Sequence, residues 1–183
     1  MSGFGIKNMS SGFCNAKKQP MRNHENILVF YYKQSTYNPQ FQDYADSVKL
    51  RFKDGQKVNR DKQNIVPTTK VYGNFDYNNH FEEYPISFER GKYPSSVQQI
   101  KCVPNCNSIR LHPTQKPVEL FEYLIKTYTN EGDLVLDNCA GSFTTAIACE
   151  NLKRNWICIE KEEKYCEIGK KRLEEYREQL TLF

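Results

Sequence analysis

The most specific chemistry in the sequence lies in one small-residue turn and two acids. Asp137-Asn138-Cys139-Ala140-Gly141-Ser142-Phe143-Thr144-Thr145 follows the apolar run Leu134-Val135-Leu136 and opens onto a helix-forming stretch from Thr144 to Leu152. A strand, a tight turn and a helix start, in that order, suit a nucleotide-like ligand. The turn brings backbone N–H groups close to the ligand, and the helix N-terminus adds a partial positive charge. A second apolar run, Trp156-Ile157-Cys158-Ile159, ends in Glu160. Ligands of α/β sheets sit at the carboxyl ends of the strands, and an acid about 20 residues beyond a glycine turn suits a pair of ribose hydroxyls. An acid placed for the dipole of the following helix is the competing role for Glu160. Its coupling to the turn favours ribose binding.

Other constellations are weaker. Cys102, Cys106 and His112 resemble zinc ligands, but their spacing is long and a fourth ligand is not evident. His24-Glu25 stands before an apolar run and reads as a hydrogen-bonded structural histidine rather than an acid–base pair. Cys139 and Cys149, near a helix N-terminus, read as small buried hydrophobes rather than reactive thiols. Tyr31, Tyr32, Tyr37 and Phe41 could stack on bases, and core or lid packing accounts for them equally well.

The elements that position the turn follow from periodicity. Residues 1–12 are Gly/Ser-rich and read as irregular. Ile27 to Tyr32 is a continuous apolar run and predicts a buried strand. From residue 34 to about 100 the chain is polar, broken by prolines, and predicts an inserted recognition or lid region. It holds one amphipathic helix from Asp43 to Lys53 and a short strand from Ser96 to Ile100. His112-Pro113-Thr114-Gln115-Lys116-Pro117 is a turn that feeds a helix, with Pro117 in its first turn. Val118, Phe121, Leu124, Ile125 and Tyr128 form that helix's apolar face, and Glu122–Lys126 its i, i+4 pair. A strand from Asp133 to Asp137, the turn, the helix to Leu152, a strand from Trp156 to Glu160 and a helix from Glu162 to Leu180 complete the chain. In that last helix Glu167–Lys171 is the expected ion pair. Alternating helices and strands imply parallel strands in an α/β layer fold.

Composition sets wider bounds. The 183 residues suit one domain with a large insertion, and 38 % hydrophobic content gives a modest core. The net charge of +4 is compatible with a polyanionic partner without demanding one. Lys7, Lys17, Lys18 and Arg22 lie in an N-terminal stretch without acids. Seven scattered cysteines, no signal-like segment and no apolar run near the ~20 residues of a membrane span predict reduced thiols in a cytoplasmic protein.

His112 to Pro117, the helix after it, the turn at 137–145 and Ile159-Glu160 together resemble the S-adenosylmethionine half of a DNA amino-methyltransferase. The resemblance is to the permuted β-class, which methylates adenine N6 or cytosine N4. It extends to Gly12-Phe13 with Ala16-Lys17-Lys18, to His24 through Phe30, to Thr36 through Gln40 and to Tyr93-Pro94-Ser95-Ser96. It implies an incomplete Rossmann-like sheet in three parts. Residues 1–33 are the remnant of a catalytic subdomain, 34–110 a target-recognition insertion, and 111–183 the cofactor subdomain. Thr114 and Lys116 would contact S-adenosylmethionine beside the first helix. Asp137 would lie beneath its methionine end, and Cys139, Gly141, Ser142 and Thr144 would surround it. Thr144 and Thr145 would cap the next helix, and Glu160 would hold the ribose. Double-stranded DNA is the implied partner, with the target base flipped out and its amino nitrogen attacking the methyl group in line.

Two departures qualify the resemblance. No Asp/Asn/Ser-Pro-Pro-aromatic string occurs in the 183 residues; Asn38-Pro39-Gln40-Phe41 lacks the second proline and falls in the insertion. That motif is expected well before residue 12, with two central strands that belong between the Asp137 strand and the Ile27–Tyr32 strand. The expectation is a chain that does not methylate DNA alone and that a second chain completes, or a non-catalytic DNA-binding or degenerate relative. Phe143, in turn, replaces the last glycine of the turn. Its side chain is expected to intrude on the methionine space, or to force the turn away, and so to impair cofactor binding; rotating outward to pack is the competing outcome.

Overall fold

Two short apolar runs pair to form the scaffold of the turn. β4 (Leu134–Asp137) and β5 (Asn155–Cys158) are parallel, with Val135 opposite Trp156 and Asp137 opposite Cys158. Parallel neighbours need a crossover, and α3 (Thr144–Asn151) provides it. In this computed structural model residues 2–11, 16–55, 86–104 and 110–181 are described, with side chains from residue 16 onward. The chain divides into two compact units, Met1–Gln40 with Ser95–Phe183, and Phe41–Pro94.

In the first unit, one face of the β4–β5 pair is covered. Val135 and Trp156 pack against Ile125, Ala148 and Cys149, and Trp156 and Cys158 also pack against Ala140, Phe143, Ala146, Ile147 and Leu173. These partners come from the turn and from three helices: α2 (Val118–Tyr128), α3 and α4 (Glu163–Thr181). Strand alternation sends Leu134, Leu136, Ile157 and Ile159 to the other face, where they are 60, 62, 47 and 53 % exposed. Parallel sheets are ordinarily covered on both faces, so this one carries a bare apolar side.

A separate three-stranded sheet has the order β2-β1-β3, from β1 (Ser2–Ser11), β2 (Arg22–Leu28) and β3 (Val97–Gln99). β1 runs antiparallel to β2 and parallel to β3. The strand β1 corrects the reading of residues 1–12 as irregular: pairing on both edges overrides its Gly/Ser composition. β2 corrects the buried strand expected from Ile27 to Tyr32. It begins earlier, among polar residues that match β1, and ends at Leu28. Phe30 and Tyr32 lie beyond it, 85 and 99 % exposed. Among the described residues the two sheets share no hydrogen-bonded strand pair.

α2 starts after Pro117, whose φ of −66° and ψ of 144° make it the residue before the first turn. Its C-terminal carbonyls are met by Asn38, whose N–H donates to Thr127 O at 2.7 Å and whose amide donates to Thr129 O at 2.9 Å. The Asn38-Pro39 segment thus serves as a clip on α2. The two expected helical ion pairs are replaced: Glu122 accepts from Asn151, and Lys171 pairs with Glu175 at 3.8 Å.

In the second unit α1 is only Asp46–Arg51, shorter than the helix expected from Asp43 to Lys53. Tyr44 instead packs edge-on against Phe88 at 5.7 Å, and Phe52 has extended backbone. A bridge between Gln42 and Lys92 closes the unit. Gly91 has φ +81°, and a Cβ there would meet Gln42 O at 2.6 Å, so only glycine permits that approach.

Candidate cofactor site

The two acids at the strand ends shape the turn between them. Asp137 closes β4. Its Oδ1 accepts the Cys139 N–H at 3.0 Å, and its Oδ2 accepts the Thr145 hydroxyl. Glu160 follows β5. Its Oε2 accepts the Gly141 N–H at 2.7 Å, and its Oε1 accepts the N–H groups of Lys161 at 2.9 Å and Glu162 at 3.1 Å. One oxygen stands at the approach to α4, the role weighed against ribose binding, and the other holds the turn. The Glu162, Gly141 and Lys161 amides, with the nearby His112, hold its carboxyl below the usual carboxylate range.

Gly141 has φ +53°, and a Cβ there would lie 3.3 Å from the His112 ring. The turn therefore presses its backbone against the His112 loop. The Thr114 N–H donates to His112 Nδ1 at 3.3 Å, and the Gln115 N–H donates to His112 O at 3.0 Å. The turn and this loop are the two lips of a cleft. Thr114, Lys116, Asp137, Cys139, Gly141, Ser142 and Thr144 all line it. Glu160 does not line it and acts on it through Gly141. The cleft encloses about 60 Å³, where small-molecule pockets hold about 300–1,000 Å³. These residues form one wall of a shallow cleft. A neighbouring cavity of about 280 Å³ shares Thr114, Gln115 and Lys116 with it and is walled by Ile27, Ile100 and Leu120. Lys116 spans the boundary, its Nζ 2.6 Å from Glu25 Oε2 on β2.

Phe143 corrects one expectation. Its backbone is left-handed, φ 58° and ψ 34°, which costs a residue with a Cβ about 1–2 kcal/mol. Its ring turns away from the cleft into the core, leaving the residue 7 % exposed beside Ala146, Ile147, Leu173 and Trp156. The residue does not line the cleft. Thr144 and Thr145 do not cap α3. Phe143 is the capping position, and the hydroxyls of Thr144 and Thr145 engage Arg172 and Asp137.

Cys139 is exposed, against the expectation of a buried hydrophobe; its N–H is fixed by Asp137 and its side chain faces the cleft. Cys149 is fully buried as expected, and burial pushes its thiol up to about 11 and that of Cys158 up to about 12. His112 stacks edge-on with Tyr165 at 4.2 Å. Cys106 lies outside the described residues, and among the described residues no group of three His, Cys, Asp or Glu could hold a metal. His24 lies beside Asn23, with a 3.4 Å contact, and does not line the cleft.

Sequence reasoning missed Arg172. Its Nη1 donates to Ser142 O at 2.8 Å, Ser142 Oγ at 3.3 Å and Thr144 Oγ1 at 2.9 Å. Burial pushes its guanidinium pKa down. The only signal was its helical spacing from Tyr165, on a face whose partner was unknown.

No helix among the described residues is long and apolar enough to cross a membrane. The chain is 44 % identical over 86 residues to the type II methyltransferase M.HpaI of Haemophilus parainfluenzae, covering 46 % of this chain and 27 % of that protein. It is 31 % identical over 124 residues to the orphan methyltransferase M.BamHII of Bacillus amyloliquefaciens, covering 67 % of this chain and 40 % of that one. The crystal structure of the M1.HpyAVI–SAM complex matches with a TM-score of 0.53 and 26 % identity, over 94 % of this chain and 61 % of that chain. The chain thus spans less than half the length of these curated relatives, and its α/β architecture is that of the methyltransferase fold. Residues 4–171 match the family described as DNA methylase, and the chain belongs to that family of N6- and N4-type DNA methyltransferases.

Proposed function

We propose that this chain is the cofactor-binding and target-recognition part of a site-specific DNA amino-methyltransferase of the cytoplasm, acting on adenine N6 or cytosine N4 of double-stranded DNA, and that a second chain completes it. The observation that carries the reading is the convergence of Thr114, Lys116, Asp137, Cys139, Gly141, Ser142 and Thr144 on one cleft at the strand ends. These residues suit S-adenosylmethionine. Gly141 offers a backbone floor without a Cβ, pressed close to His112. Glu160, behind the cleft, accepts three N–H groups and fixes the Gly141 backbone on which the cofactor would lie. Thr114 and Lys116 bring a hydroxyl and an ammonium to the opposite lip. S-adenosylmethionine, when bound, supplies the activated methyl group. The chain's own residues bind and orient it, and Asp137 keeps the turn in shape beneath it.

Orientation of the target amino group needs the Pro-Pro-aromatic motif that these 183 residues lack. The bare face of Leu134, Leu136, Ile157 and Ile159, together with the edge of β4 that pairs with no described strand, supports completion by another polypeptide. Two parallel strands and their helices would cover both and add walls to the cleft.

Methyl transfer from radiolabelled S-adenosylmethionine to duplex DNA tests the reading. The chain alone is expected to transfer nothing, and the chain mixed with a companion bearing an Asp-Pro-Pro-Tyr-type motif is expected to label DNA. Labelling by the chain alone would refute the need for a second chain. An unlabelled mixture that still binds DNA in a salt-dependent way would favour a non-catalytic DNA-binding protein.

A further inference from the structure

Tyr165, Gly169 and Arg172 are spaced i, i+4 and i+7 on α4 and share one face. Each meets a different part of the cleft's rim. The Tyr165 ring lies 4.2 Å from that of His112, which anchors the Thr114 lip. Arg172 holds Ser142 and Thr144, the residues on either side of Phe143. Gly169 leaves a notch: a Cβ there would come within 2.6 Å of two carbons of the Phe143 ring. The left-handed backbone at 143 disfavours any residue with a Cβ, and burial of its ring against this notch offsets that. Arg172 stands at the start of α3, where the helix dipole disfavours a cation. Its three acceptors on Ser142 and Thr144 compensate, and they fix the turn in doing so.

We infer that α4 is the positioning element of the cofactor cleft, with Tyr165 and Arg172 gripping its two lips and Gly169 acting as the receptor for the Phe143 ring, so that residues 143 and 169 set the turn jointly. The inference rests on the cofactor reading of the cleft. The small residue that accommodates the ring of position 143 lies across the contact, on the helix.

The test is a double-mutant cycle on the full chain, with S-adenosylmethionine affinity measured by calorimetry for wild type, Gly169→Ala, Phe143→Gly and the double variant. Gly169→Ala is expected to weaken binding about tenfold or more, because the ring and turn must shift. In the Phe143→Gly background the same substitution fills the vacated notch and is expected to strengthen binding. Alanine's higher helix propensity acts on stability alike in both backgrounds, so a reversed sign in affinity separates positioning from helix stabilisation. An effect of the same sign in both backgrounds, or none, would overturn the inference. If Gly169→Ala does not fold, comparing Phe143→Gly with the double variant still decides. If the wild type binds no cofactor, the cofactor reading fails, and alkylation of Cys139 by iodoacetamide then judges the positioning role. Gly169→Ala should change that rate several-fold only when Phe143 is present, and equal rates in all four proteins would overturn the role.

Discussion

The carboxylate of Glu160 accepts the backbone N–H of Gly141 at 2.7 Å, tying the end of β5 to the turn that follows β4. Its other oxygen accepts two amides at the start of α4. One side chain therefore fixes the turn relative to the helix that packs beneath it. Glu160→Ala is expected to weaken S-adenosylmethionine binding about tenfold or more, since charge-assisted bonds to three amides are lost together. Glu160→Gln retains neutral acceptors and should fall between. Calorimetric affinities of the two variants check the order.

The same amides hold the Glu160 carboxyl below its ordinary range. A carboxyl depressed in the folded state contributes stability that is present above its unfolded pKa, near 4.3, and is lost as pH falls through its lower folded value. The difference in thermal midpoint between wild type and Glu160→Gln should be constant from neutral pH down to about pH 5 and shrink below about pH 4. A difference that grows on acidification would contradict the assigned bonds.

Thiol reactivity should follow burial. Cys139 is exposed at the cleft, whereas Cys149 and Cys158 have thiols pushed up to about 11 and about 12. At about pH 8 iodoacetamide should modify Cys139 and leave Cys149 and Cys158 intact in the folded protein. Saturating S-adenosylmethionine should slow the modification of Cys139. Mass spectrometry of the labelled peptides reads both outcomes. Rapid labelling of Cys149 without unfolding would count against the packing of α3.

The bare face of the β4–β5 pair separates stability from assembly. Leu136, 62 % exposed, should tolerate replacement by Ser with a change within about 0.5 kcal/mol in the isolated chain, as surface positions do. The same substitution should sharply reduce methyl transfer in the completed mixture. Urea unfolding and the radiolabel assay provide the two readings. Strong destabilisation of the isolated chain would mean that the face is already covered.

Much of the cofactor half was legible because its signals are local. Leu134-Val135-Leu136 and Trp156-Ile157-Cys158 are short apolar runs between turn residues, and both are strands in the expected parallel arrangement. The apolar spacing of Val118, Phe121 and Ile125 marked α2. What could not be read depended on partners distant in sequence. β1 is a strand because β2 and β3 pair with it, and its own residues give no sign of that. The direction of the Phe143 ring is decided by the missing side chain at Gly169, 26 positions along the chain (169 − 143). Arg172 was indistinguishable from a solvated surface arginine until its acceptors on the turn were in view.

The most direct measurement is a calorimetric titration of the 183-residue chain with S-adenosylmethionine. A cleft built from the His112 loop and the 137–145 turn predicts saturable binding at one site, with a Kd below about 1 mM, abolished or strongly weakened in Glu160→Ala. Folded protein that gives no binding heat at several times that concentration would contradict it.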